Sequence, residues 1–174
     1  MSAVPLLGHT SLDDILAYLP DGPATVRDFL ASASALATIL PTSQYFLNLC
    51  QDRYRFSVGL AAGLLGERTS LQPSSQSVET LRQIRHQHPD VFCLCDSAFD
   101  SLDLPRVDFP DRLAAPSEAF ARIPDISAER VAIIAYTSGS TGLPVAHAKS
   151  WGSLVRNARA EAGRLGLLHG PRHT

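Results

Sequence analysis

The stretch Val131-Ala132-Ile133-Ile134-Ala135-Tyr136-Thr137-Ser138-Gly139-Ser140-Thr141-Gly142-Leu143-Pro144 decides how this chain is read. A short apolar run of this length has the character of a buried strand. It leads directly into a segment holding four hydroxyls and two glycines. Glycine lets the backbone turn tightly enough to aim several N–H groups at one point, and hydroxyls add further donors. A loop of that kind at the end of a strand is suited to an anion, most often a phosphate. A solvated turn is the alternative reading of the same composition. The segment is not a Walker A loop, because the Gly-Lys-Ser/Thr ending is missing and Leu143-Pro144 disfavours an immediate helix start.

Outward from that stretch, apolar spacing alternates between the two regular periods. Helical periodicity runs from Thr25, paired with Asp28 as a capping box, through Val26, Phe29, Leu30, Ala33, Leu36, Ala37 and Leu40 to Pro41. Asp52 is expected to cap a second helix, apolar on nearly all sides, that stops at Gly66. Val78, Leu81 and Ile84 mark a thinner helix ending before Pro89. Trp151, Leu154, Val155, Ala158, Ala162 and Leu165 mark a last one, stopped by Gly166. Ser11 with Asp14 is read as opening a short helix through Tyr18. Strand character falls on Tyr45–Cys50, Thr69–Gln72, Val91–Cys95 and Val131–Tyr136. From Asp96 to Ser127 periodicity is poor, and that segment reads as a long connection with one short helix near Ser117–Arg122. Strands alternating with helices predict an α/β fold with a mostly parallel sheet covered by helices on both faces. Such sheets bind ligands beyond the carboxyl ends of their strands, where residues 137–142 fall.

Composition narrows the possibilities. The chain has 174 residues, 45% of them hydrophobic, and a formal net charge of −2. The mean hydropathy is +0.03 and the pI about 6.3, so no basic field points to nucleic acid. No run is long and apolar enough for a membrane span, no export signal is visible near Met1, and the cytoplasm is the expected location. The three cysteines read as small core hydrophobes, not metal ligands or disulfides. His86 and His88 read as surface residues near a helix end. No metal-ligand set and no catalytic group can be assigned. The only lysine is Lys149.

The nine positions Tyr136 to Pro144 resemble the phosphate-loop motif of the adenylate-forming (AMP-binding) superfamily, which includes acyl-CoA synthetases, adenylation domains of peptide synthetases and luciferases. The resemblance implies that residues 1–174 are an amino-terminal part of the large domain of such an enzyme, with the phosphate loop at 136–145. The rest of the large domain and a small carboxy-terminal domain would lie outside them. It implies ATP and Mg²⁺ as cofactors, a small carboxylic acid as substrate, and coenzyme A or the phosphopantetheine of an acyl carrier protein as acceptor. The activity implied is that of an ATP-dependent carboxylate–thiol ligase, with the 174 residues inactive alone. The alternative is a non-catalytic nucleotide- or phosphate-binding module.

Thr137, Ser138, Gly139, Ser140, Thr141 and Gly142 take the donor role, with Thr137 and Thr141 the best hydroxyl candidates. Most members carry a lysine directly after the Pro, where this chain has Val145. Lys149 is the nearest cation and the candidate replacement, on the same face as Val145 if the segment is extended, but about 13 Å away at strand rise. A solvated surface lysine is the competing reading. His147, between the two, is expected on the opposite face as a local hydrogen-bonding residue. The segments Tyr45–Phe56 and His147–Leu154 further resemble ligases found with bacterial aryl-polyene and xanthomonadin-type pigment synthesis, a branch that also commonly lacks that lysine.

Overall fold

A computed structural model describes residues 2–97, 104–113, 120–138 and 144–167. In chain order the elements are β1 (Ala3–Pro5), β2 (Ile15–Leu19), β3 (Gly22–Thr25), α1 (Val26–Ile39), β4 (Tyr45–Asn48), α2 (Arg53–Leu65) and β5 (Thr69–Gln72). They continue with α3 (Val78–Gln87), β6 (Phe92–Cys95), β7 (Arg106–Asp108), β8 (Asp125–Ser127), β9 (Val131–Ser138), β10 (Pro144–Ser150) and α4 (Trp151–Arg164). The main sheet has six strands in the order β10-β9-β5-β4-β6-β7. All its pairings are parallel except β9 with β10, which forms an antiparallel hairpin at one edge. The mostly parallel α/β architecture expected from the alternation is what the chain adopts.

Side-chain alternation along the strands builds two cores. Phe46, Phe92 and Leu94 face α1 and α2, packing with Phe29, Leu30, Leu36, Val58 and Ala62. Leu47, Leu71, Cys93 and Cys95 point the other way, onto Leu81 and Ile84 of α3. Helices therefore cover both faces, as parallel strands buried on two sides require. All three cysteines are free and buried. Cys93 and Cys95 fill the α3 side of β6 as small apolar groups, in keeping with their alternation in sequence.

The helix ends follow from local chemistry. Thr25 caps α1 through a full capping box with Asp28, whose carboxyl is held below its ordinary range by hydrogen bonds from the Thr25 side chain and backbone. Asp52 accepts from the Arg55 N–H at 2.8 Å to cap α2. That helix lies close to the sheet because it presents Gly59 and Gly63 there. A Cβ at Gly63 would stand 2.6 Å from Phe46 Cε1. Gly66 is the C-cap of α2 as expected, yet the left-handed position belongs to Glu67, with φ 58°. Gly66 instead leaves room for the Arg68 guanidinium: a Cβ there would lie 1.9 Å from Arg68 Nη1. The Arg68 side chain turns back over α1, donating to the carbonyls of Pro41 (2.8 Å) and Leu40 (3.0 Å) that the helix end leaves open.

Two expectations require correction. The Ser11–Asp14 signal does not open a helix. Asp14 does accept from the Thr10 and Ser11 N–H groups, but Ile15–Leu19 pairs with Gly22–Thr25 as a hairpin. Leu19-Pro20-Asp21-Gly22 is the reason, since Pro and Asp suit the two central turn positions and Gly22, at φ 128°, accepts a backbone that other residues resist. The connection from Asp96 to Ser127 is also less irregular than expected, because it contains β7, which extends the sheet beside β6, and β8, which pairs with β1. Of the helix expected near 117–122, residues 120–122 are not helical and 117–119 lie outside the described residues.

Candidate phosphate-binding site

The candidate site is the hairpin of β9 and β10. β9 is pinned to the interior by its parallel pairing with β5, where Leu71 stands beside Ile134. It carries Thr137 and Ser138 past the end of that pairing, toward the carboxyl end of the parallel strands. Ser138 pairs with Pro144, and residues 139–143 join them. Gly139, Ser140, Thr141 and Gly142 lie outside the described residues.

Just before the loop, Tyr136 is turned inward and is only 3% exposed. Its hydroxyl shares a 2.9 Å hydrogen bond with His88 Nε2, beyond the end of α3. The His88 ring also packs on Tyr45 of β4, with centroids 4.3 Å apart. Burial pushes the Tyr136 phenol up, with the neighbouring Tyr45 adding to it. Burial likewise depresses the His88 imidazole, and Asp90 opposes this. A neutral histidine therefore ties β9 to the α3 side immediately before the hydroxyl-rich segment. The surface role expected for His88 is wrong, and its signal was the parity of Tyr136 with inward-facing Ile134.

Thr137 is exposed and stands opposite Val145, so the two share one face of the hairpin. His147 stands opposite Ala135 and Lys149 opposite Ile133, on that same face. The expectation that His147 points away fails because strand side chains repeat every second residue, so 145, 147 and 149 must agree. The ring confirms it. Thr137 Oγ1 and His147 Nε2 share a hydrogen bond of 3.2 Å across the diagonal of the ladder. Val145, His147 and Lys149 are all exposed. The structure thus brings together Thr137, Val145 and His147, whereas Lys149 sits four positions down the ladder, about 13 Å from the Thr137 rung.

After β10 the chain enters α4 with Ser150 as its N-cap. The Trp151 N–H donates to the Arg130 carbonyl and the Gly152 N–H to that of Ala128, so the foot of the hairpin is fastened at both strands. Among the described residues no group of three or more His, Cys, Asp or Glu could hold a metal ion. Among them, too, no helix is long and apolar enough to cross a membrane.

The architecture can be compared with solved structures. o-Succinylbenzoate CoA synthetase (MenE) from Bacillus subtilis, in complex with the acyl-adenylate intermediate OSB-AMP, superposes with a TM-score of 0.74 at 18% identity, covering 97% of this chain and 38% of that one. The fold is that of the adenylate-forming enzymes. The same synthetase in complex with ATP and magnesium ion gives a TM-score of 0.66 at 21% identity, over 87% of this chain and 44% of that one. The Klebsiella oxytoca NpsA N-terminal subdomain, in complex with 3-hydroxybenzoyl-AMSN, gives 0.58 at 16% identity, over 80% and 38%. The chain thus spans less than half the length of these adenylate-forming structures, and matches the amino-terminal part of their architecture. No protein-family model matches the chain, and no curated protein does.

Proposed function

We propose that the chain is the phosphate-binding part of an ATP-dependent carboxylate–thiol ligase. In that reaction a small carboxylic acid attacks the α-phosphate of ATP to give an acyl-adenylate and pyrophosphate. The thiol of coenzyme A, or of a carrier-protein phosphopantetheine, then takes the acyl group. The observation carrying the reading is the β9–β10 hairpin, which presents Thr137 at the head of the Tyr136–Pro144 motif within an adenylate-forming fold. Negative charge moves onto the departing pyrophosphate, and fixed N–H and O–H donors are what such charge requires. Thr137, Ser138, Gly139, Ser140, Thr141 and Gly142 supply them. Lys149 contributes from the same face but from further down the ladder. Mg²⁺ would neutralise phosphate charge when bound.

Because the chain spans 38% of the synthetase it resembles, we assign it phosphate binding without carboxylate activation. Calorimetry of the 174 residues with pyrophosphate and with ATP tests this, alongside acid-dependent ATP–pyrophosphate exchange. Saturable binding without exchange is expected. No binding at millimolar ligand would sink the phosphate assignment, and exchange by these residues alone would overturn the division of labour. If a longer chain containing these residues also binds without exchange, the non-catalytic phosphate-binding module is the better description.

A further inference from the structure

We propose that His147 is the positioning residue of this phosphate site, holding the Thr137 hydroxyl so that its proton is free for the anion. The inference rests on the phosphate reading of the hairpin and adds to it a residue outside the motif.

The reasoning starts from the hydroxyl. A threonine side chain has one O–H to donate and two lone pairs to accept. His147 Nε2 lies 3.2 Å from Thr137 Oγ1, so the two share one bond. If the ring nitrogen accepted, the Thr137 proton would point down the ladder and away from the loop. If the ring N–H donates to Oγ1, the Thr137 proton turns outward. An anion at the head of the hairpin selects the second arrangement, because only then can Thr137 donate to it. The bond also becomes cooperative, since an oxygen that accepts is a better donor.

Position supports the same assignment. Thr137, Val145 and His147 share one exposed face, and no acidic residue occupies that face: its other members in the two strands are Val131, Ile133, Ala135 and Lys149. Val145 is 47% exposed and offers an anion nothing at the rung directly opposite Thr137. Lys149 is two rungs of that face below Thr137. Among the described side chains of β10, His147 reaches the Thr137 hydroxyl, and it does so from the strand leaving the loop. One bond thus ties the entry strand of the loop to its exit strand.

Pyrophosphate binding to the 174-residue chain is the test, measured by calorimetry, with far-UV circular dichroism and thermal unfolding as controls for folding. His147→Ala should weaken binding about tenfold, the weight of one hydrogen bond to a charged group. His147→Gln, whose amide N–H can donate over similar reach, should recover most of it. Thr137→Val should lose a similar factor, and the Thr137→Val, His147→Ala pair should lose no more than Thr137→Val alone. A purely structural His147 would give additive losses and no rescue by glutamine. Equal binding by the wild type and His147→Ala, with Thr137→Val still impaired, overturns this inference and leaves the phosphate site standing. Absence of binding by the wild type overturns both.

Discussion

Replacing Gly63 by alanine sets two effects against each other, and the structure says which prevails. Alanine is favoured over glycine in a helix interior by about 0.8–1.0 kcal/mol. The new methyl, however, would stand 2.6 Å from Phe46 Cε1 and 2.8 Å from Cζ, where carbon atoms normally rest about 3.5–4.0 Å apart. Phe46 has no exposure and lies stacked on Phe92, with centroids 5.7 Å apart and planes at 17°. The ring must retreat by about 1 Å into a packed neighbour, and overpacking of this kind costs about 1–3 kcal/mol. The net expectation is a loss of about 1 kcal/mol, seen as a fall of about 2–4 °C in Tm for a chain of this size. Thermal unfolding followed by the fluorescence of Trp151 measures it. In a Phe46→Leu background the obstructing ring edge is gone, so Gly63→Ala should there become neutral or stabilising. A rise in Tm from Gly63→Ala alone, or the same loss in both backgrounds, would refute the claim that α2 is set down on β4 through glycine.

Other expectations concern the site and its surroundings. Tyr136→Phe removes a buried hydroxyl bonded to His88 and should cost about 0.5–1.5 kcal/mol in the same unfolding assay. Burial depresses His88 in the folded chain, so the unfolded chain takes up that proton first. Its contribution to stability is full above the ordinary histidine range and is lost as pH falls through the depressed folded value. Wild-type Tm should therefore fall more steeply between pH 7 and 5 than that of His88→Gln, and parallel curves would contradict the neutral His88. Burial, reinforced by Asp96, pushes the Cys50 thiol up to about 12, so only about one in ten thousand is thiolate at pH 8. Iodoacetamide should leave Cys50 unmodified in the native chain as judged by peptide mass, and rapid labelling would show that site to be open. Lys149→Ala should weaken pyrophosphate binding less than His147→Ala does. A charge about 7–13 Å away in water contributes only about 0.3–0.6 kcal/mol per unit charge, and a tenfold loss would place the Lys149 amine at the phosphates.

Most helices were legible because their signals are local. Thr25 with Asp28, Asp52, and Gly166 at φ 70° end or begin helices through atoms three or four residues apart, and no tertiary contact is needed to read them. The same locality explains the error at Ser11. An aspartate accepting two backbone N–H groups looks alike before a helix and before a hairpin, and the turn at Pro20-Asp21-Gly22 decides between them. Three-residue strands such as β7 and β8 offer too few positions for a period to show. β10 is hidden for another reason. Ala146, His147 and Ala148 carry no strand propensity, all are exposed, and the segment is extended because β9 supplies its hydrogen-bonding partner.

The candidate site divides along the same line. The motif names the proposed donors in sequence, but which side chain meets which depends on the register across the hairpin. Ser138 opposite Pro144 leaves five residues between the strands and puts Thr137 and His147 on one face. Changing the pairing by one position would turn one strand over relative to the other. His147 would then face away from Thr137, although every residue of the motif would be unchanged. The proposed phosphate site is therefore specified twice, by the hydroxyls and glycines of the loop and by the number of residues the loop contains. An insertion of one glycine between Ser138 and Pro144 should accordingly abolish the Thr137–His147 bond while sparing the composition from which the site is recognised.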